Sequence, residues 1–263
     1  MTSFKYLHLE KVGSTNAYLQ EMPEQERISC VVYADEQTAG KGMGTNRWES
    51  GLGMNLTFSM GMDLSFLKAA DQFLVSQAVP RGLLEVLDAT LPVKASLKWP
   101  NDLVVEGRKL AGILINSTIH GLNMGTSVIG IGLNVNQIRF QDWPTHPVSL
   151  KMVLGHDVEL EPLLHQLVEA VDRWVQMLRT PEGVAKVKED YLKRLYRYHE
   201  WADYVVAGQP VRRFVTGIDS FGRLETIDES GSRFVYDIKE ISFCPTKPAD
   251  PCAIPTATAG PLR

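Results

Sequence analysis

The feature that most constrains this chain is a hydrophobic rhythm that changes twice along its length. Through the first 140 residues short β-type runs dominate, at 30–34 (CVVYA), 55–60 (NLTFSM), 93–99, 110–117 and 127–133. Each is rich in β-branched and apolar residues and bounded by glycine or polar breaks. After Pro162 the apolar positions recur at steps of three and four, the period of a helix. From Trp201 the rhythm returns to short strands at 211–218, 224–228 and 233–238, separated by the turns Ser220-Phe221-Gly222 and Glu229-Ser230-Gly231. This order predicts an α+β chain with a large domain over 1–200 and a small barrel-like β module over 201–243.

Within that frame several helices are expected. Gly13-Ser14-Thr15-Asn16 opens one, because hydroxyl and amide side chains satisfy its first free N–H groups. Residues 67–87 carry apolar positions at helical spacing, and Pro80 should kink or split that run. Pro162 stands in a first turn ahead of a broad stripe from Leu163 to Leu178, and Thr180-Pro181 opens another helix bearing Val184, Val187, Tyr191, Leu195 and Tyr198. The stretch 244–263 holds prolines at 245, 248, 251, 255 and 261 without a periodic apolar pattern, so a disordered tail is expected there. No internal repeat is present.

Composition narrows the function classes. With 44% hydrophobic and 22% charged residues over 263 positions, the chain can build a full core. A net charge of −4 argues against life on a nucleic-acid backbone. Cys30, Cys244 and Cys252 match neither a metal site nor a secreted disulfide pattern, and the six histidines form no ligand cluster. The start MTSFKYLHLEKV has no apolar signal core, and no run approaches the roughly 20 apolar residues of a membrane span. A cytoplasmic protein with reduced thiols and no protein-held metal is expected.

Four segments could carry chemistry. Gln37-Thr38-Ala39-Gly40-Lys41-Gly42-Met43-Gly44-Thr45-Asn46-Arg47-Trp48 follows a strand directly, and its close glycines let backbone N–H groups approach an anion beside Lys41 and Arg47. A Rossmann site would need a helix at those glycines, and the next element reads as a strand; a Walker loop would close on Gly-Lys-Ser or Gly-Lys-Thr, which is missing. A plain glycine-rich hairpin is the alternative. Lys98-Trp99-Pro100-Asn101-Asp102 ends a strand with a cation and two polar side chains, and Arg108-Lys109-Leu110-Ala111-Gly112-Ile113-Leu114 starts the next, where Gly112 permits close approach of a ligand. Gly130-Ile131-Gly132-Leu133-Asn134-Val135-Asn136 again places small residues and amides at a strand end. Taken singly, each segment also reads as core filler, turn former or bulge.

Together with Ser14-Thr15-Asn16, in this order and spacing, these segments resemble the biotin–protein ligases over about residues 5 to 243. The Lys98–Asp102 and Arg108–Leu114 pairing is the most specific part. The resemblance implies a catalytic core related to class II aminoacyl-tRNA synthetases with a small SH3-like carboxy-terminal domain. It also implies an activity: biotin is joined to AMP from ATP and Mg2+, then transferred to a lysine of a biotin carboxyl carrier domain. By resemblance, Lys109 and Lys41 are catalytic. Ser14, Thr15, Asn16, Gln37, Gly40, Lys41, Gly42, Met43, Lys109 and Gly112 hold biotin, with Leu110 and Ile113 as its apolar wall. Arg47, Trp48, Asn101, Asp102 and Asn134 hold ATP or the adenylate. A homodimer through an exposed sheet edge is among the implied assemblies.

Departures from the family pattern are Met43 where arginine is frequent, Thr45 where glycine is, and Asn116 where an acidic residue is common. The arginine restrains the reactive adenylate in some members, so Met43 bears on its retention. Only about a dozen residues precede Ser14, too few for a helix-turn-helix, so no repressor function and no DNA partner are expected. A lipoate–protein ligase shares the core logic, but the tryptophan-bearing loop and the small terminal domain favour biotin. An inactive biotin-binding protein is the other alternative. Truncation after Phe243 is expected to leave activity and melting temperature nearly unchanged; a loss of several degrees would show that the tail packs on the body.

Overall fold

A computed structural model of the chain describes residues 2–140 and 147–244. In chain order it runs β1 (Lys5–Val12), α1 (Thr15–Glu21), α2 (Glu24–Arg27), β2 (Cys30–Gln37), β3 (Leu56–Asp63), α3 (Phe73–Thr90), β4 (Ser96–Lys98), β5 (Asp102–Val105), β6 (Arg108–His120) and β7 (Asn123–Leu133). There follow α4 (Leu150–Leu154), α5 (Leu160–Gln176), α6 (Pro181–Arg194), β8 (Trp201–Val206), β9 (Gln209–Ile218), β10 (Leu224–Ile227), β11 (Arg233–Tyr236) and β12 (Ile241–Phe243). The architecture is mixed α+β, with a seven-stranded sheet in the order β1-β2-β3-β7-β6-β5-β4 and a five-stranded sheet in the order β11-β10-β9-β8-β12.

Among the strand pairs of the described residues only β1 and β2 are parallel, and α1 and α2 make the crossover that parallel pairing requires. The remaining pairs are antiparallel, and β3 against β7 joins the amino-terminal half of the sheet to the β4–β7 meander. Alternation then divides the residues. Val31, Leu56, Phe58, Met60, Ile129 and Ile131 face the helices α3 and α5 in the main core. Cys30, Val32 and Val128 face the other way, against Leu19 of α1. Along that second face β3 and β7 carry small residues opposite one another, Thr57 against Gly132 and Ser59 against Gly130, so the sheet offers a shallow floor.

Several sequence expectations need revision. The helix expected over 67–87 begins at Phe73, because 67–69 bond elsewhere: Met124 N donates to Leu67 O and Ala69 N to Leu122 O, tying the segment to the β6–β7 turn. Pro80 does not split α3, which runs unbroken to Thr90 with Pro80 buried in its packed face. The cost of a proline in a helix, about 3 kcal/mol, is offset by core burial on both sides of it. The strand expected over 93–99 shrinks to Ser96–Lys98. Helix α6 ends at Arg194, and the next residues leave it to bond to the sheet edge, Tyr196 N donating to Leu97 O at 2.6 Å. The proline-rich stretch from 245 and Cys252 lie outside the described residues, whereas Cys30 and Cys244 are free thiols.

The five-stranded sheet packs against the end of β4. Trp99 Nε1 donates to Gly222 O at 2.8 Å, and the Phe243 ring lies beneath Lys98 Nζ at 5.1 Å and beside Tyr196 at 5.7 Å. No helix among the described residues is long and apolar enough to cross a membrane.

Helices α3 and α5 touch backbone to backbone at Gly82, where an added Cβ would stand 2.6 Å from Val171 Cα and 2.7 Å from its nitrogen. Alanine would raise helix propensity by about 1 kcal/mol, but the clash is with main chain that cannot rotate away, and overpacking costs about 1–3 kcal/mol. Gly82→Ala is therefore expected to lower the urea midpoint of unfolding; an unchanged or raised midpoint would mean that the helices separate freely.

Candidate active site

The amino end of α1 sits on the shallow face of the sheet. Ser14 is its N-cap, extended at φ −158°, and its hydroxyl accepts from Ala17 N at 3.5 Å. Gln37, at the end of β2, accepts through Oε1 from Thr15 N at 2.8 Å and from Thr15 Oγ1 at 3.2 Å. Thr15 Oγ1 also lies 2.9 Å from Ser59 Oγ on β3. Asn16 Oδ1 accepts from Gln20 Nε2 at 2.9 Å and Asn116 Nδ2 at 2.8 Å, while Asn16 Nδ2 is buried without a partner. A buried donor left unpaired costs about 1–3 kcal/mol, so this wall favours a ligand that supplies an acceptor.

The glycine loop folds as a small hairpin. Trp48 N donates to Gly40 O at 3.0 Å, Gly42 N to Asn46 O at 2.8 Å, and Lys41 pairs with Arg47 in a β-bridge. The hairpin lays the Trp48 indole on the sheet where Gly132 of β7 faces Gly112 of β6; a side chain on residue 132 would overlap the ring. Trp48 Nε1 is a second buried donor without a partner.

A β-bulge sets the direction of Lys109. Asp102 pairs with Gly112 and Leu103 with Ala111, but Val104 pairs with Lys109, so Leu110 is the extra residue of β6. The bulge reverses the alternation and turns Lys109 to the face of Asp102 and Gly112. Lys109 Nζ lies 2.8 Å from Asp102 Oδ1 and 5.8 Å from the Trp48 ring centroid. Nearby, burial pushes the Lys98 ammonium below its usual pKa; the Lys109 charge adds to this and Asp102 opposes it.

These pieces surround one cleft of about 630 Å3, its mouth included, a size suited to a small-molecule ligand. Ser14, Thr15, Asn16 and Gln37 line one wall; Lys41, Gly42, Met43, Arg47 and Trp48 come from the hairpin; Asn101, Asp102, Lys109, Gly112 and Ile113 complete it. Two residues expected in the site stand behind it. Gly40 packs under the Trp48 carbonyl, and Asn134 Nδ2 donates to Val148 O at 3.1 Å and Lys109 O at 3.3 Å, bracing the start of β6. Leu110 is not an apolar wall of the cleft: the bulge sends it into the main core, fully buried. Asn101 braces its own turn, with Nδ2 donating to Ile113 O at 2.8 Å.

Sequence reasoning missed Ser59, which also lines the cleft, and gave no separate role to Asn46, Leu114 and Gly130, which lie in the segments it singled out. For Ser59 a signal existed, since 56–61 alternates apolar with small residues, Leu-Thr-Phe-Ser-Met-Gly. A neighbouring cavity shares Met43, Asn101 and Asp102 with the first and reaches Lys98, Phe73 and Phe221 beside the five-stranded sheet. Fixed cations, a carboxylate and unpaired donors in one cleft can hold an anion and a neutral polar group at once.

Residues 9–134 match the model of the Biotin/lipoate A/B protein ligase family. A biotin–[acetyl-CoA-carboxylase] ligase of Paracoccus denitrificans is 30% identical over 231 residues, covering 85% of this chain and 91% of the relative. The bifunctional ligase/repressor BirA of Salmonella typhimurium is 30% identical over 230 residues, 85% of this chain and 67% of the relative. Among solved structures, a biotin protein ligase from Aquifex aeolicus in complex with biotin and ATP superposes with a TM-score of 0.74 at 21% identity, covering 92% of this chain and 99% of that one.

The indole seat yields a test. Gly132→Ala should displace Trp48 from the sheet while the fold persists, read as a shifted tryptophan emission that is lost when Trp48→Phe is added. Unchanged emission in Gly132→Ala would show that the ring does not rest there.

Proposed function

From the premise that the chain belongs to the biotin–protein ligase family, we infer that it activates biotin with ATP and transfers the biotinyl group to a lysine of a biotin carboxyl carrier domain. In the first step a carboxylate oxygen of biotin bonds to the α-phosphorus of ATP and pyrophosphate leaves. In the second, the neutral lysine amine bonds to the acyl carbon, AMP leaves with the bonding electrons, and the amine gives up a proton. Both steps crowd negative charge, so fixed cations and positioning carry the catalysis.

The observation that carries this reading is that Ser14, Lys41 and Lys109 line a single cleft. Lys109 is the main electrostatic group: a carboxylate about 4 Å from its ammonium gains about 4 kcal/mol at an effective dielectric of about 20. Asp102, 2.8 Å away, orients that ammonium before substrate arrives. Lys41 and Arg47, paired across the hairpin, hold phosphate. Ser14, Thr15, Asn16 and Gln37 bind the ureido ring, and Trp48, Asn101 and Asp102 flank the nucleotide. Asn134 acts from behind by bracing the start of β6. The second cavity, sharing Asp102 and Met43, is the path for the acceptor lysine.

Magnesium enters with the triphosphate. An ion that travels with the triphosphate keeps its phosphate and water ligands and needs no cage of protein side chains. Residues 1–200 form the catalytic domain of class II synthetase type and 201–243 an SH3-like domain; support comes from the separate five-stranded sheet.

Incubation with ATP, magnesium and radiolabelled biotin should release pyrophosphate and label a carrier domain, with lipoate a poor substitute. Lys109→Ala should lower adenylate formation by about 10²-fold or more. Wild-type rates in that variant would remove Lys109 from its role, and adenylate formed from lipoate alone would overturn the substrate.

A further inference from the structure

We propose that Asn116, exposed on β6, is a positioning residue for substrate recognition: with Gln20 it locks the Asn16 carboxamide so that its NH2 end faces the cleft floor and donates to the ureido carbonyl of the substrate. This rests on the reading that the cleft takes biotin with its ureido ring toward α1. Asn16 Oδ1 accepts from Gln20 Nε2 at 2.9 Å and from Asn116 Nδ2 at 2.8 Å. A carbonyl oxygen has two lone pairs, so both are engaged and that end has nothing to offer a ligand. Nδ2 is left buried and without a partner, beside Gly130, where an added Cβ would stand 2.8 Å from it. Asn16 and Gly130 both line the cleft.

Gln37 has the same polarity. Its Oε1 accepts twice from Thr15, at 2.8 and 3.2 Å, so its amide also presents the N–H end. Two amides set donor-first make a wall that selects an acceptor, which in a cyclic urea is the carbonyl oxygen. The sign of that selection depends on Asn116 being a donor. A carboxylate at 116 can only accept; it would draw Asn16 Nδ2 toward itself and turn Oδ1 to the floor, where it meets the carbonyl oxygen with a second acceptor.

Calorimetric titration of biotin and 2-thiobiotin into the full chain tests this. Both ligands have neutral rings and the same valerate, so a new charge at 116 shifts both alike, while the thiocarbonyl is the weaker acceptor. In Asn116→Asp the preference for biotin over 2-thiobiotin should narrow by about tenfold, the scale of one hydrogen bond, through loss of biotin affinity. Asn116→Ala, which frees the amide without reversing it, should narrow it less, and both variants should melt as the wild type does because the position is exposed. An unchanged preference in Asn116→Asp overturns the proposal. Wild-type adenylate formation from biotin is measured alongside; its absence would instead remove the premise, and the inference with it.

Discussion

One extra residue in a strand decides which way the central lysine points. In an uninterrupted β6, Lys109 and Gly112 would lie on opposite faces of the sheet. The bulge at Leu110 puts them on one face with Asp102, sinks Leu110 into the core, and leaves Lys109 Nζ over the cleft at 2.8 Å from a carboxylate. Asn134 fixes the end of this arrangement by bonding to the carbonyl of Lys109 itself. The direction of Lys109 is thus a property of main-chain pairing.

The floor depends on the same economy of side chains. Ser59, Gly130 and Gly132 face the cleft from β3 and β7, while their neighbours Phe58, Met60, Ile129 and Ile131 fill the helix-side core. A sheet that is apolar on one face and nearly bare on the other can seat an indole and a small ligand without giving up its core. The buried donors Asn16 Nδ2 and Trp48 Nε1 add an energetic bias, since each gains a partner only when an acceptor enters.

The alternation of strands and the two long helices were legible in the sequence because period and apolar content agreed. Strand β1 was not, since Tyr6, Leu7, Leu9 and Val12 sit among charged residues and the strand is a half-covered edge. Strand β5 was hidden in what reads as a short link between Asp102 and Arg108. The convergence of Ser14, Lys41 and Lys109 followed from resemblance and is a fact of the fold. The bulge, which explains both Lys109 and Leu110, leaves no mark in residue identity, because register is set by pairing across strands. Asn116 stood out in the sequence only as a departure from the family pattern and Gln20 not at all, because both act through Asn16 and only coordinates show which end of an amide is engaged.

The central claim is that one cleft binds the acid and the nucleotide together. Competition with a non-hydrolysable biotinyl-adenylate mimic tests it most directly. The account predicts that the mimic binds one per chain and displaces both biotin and ATP. Displacement of only one of them, with the other still bound to saturation, would contradict it.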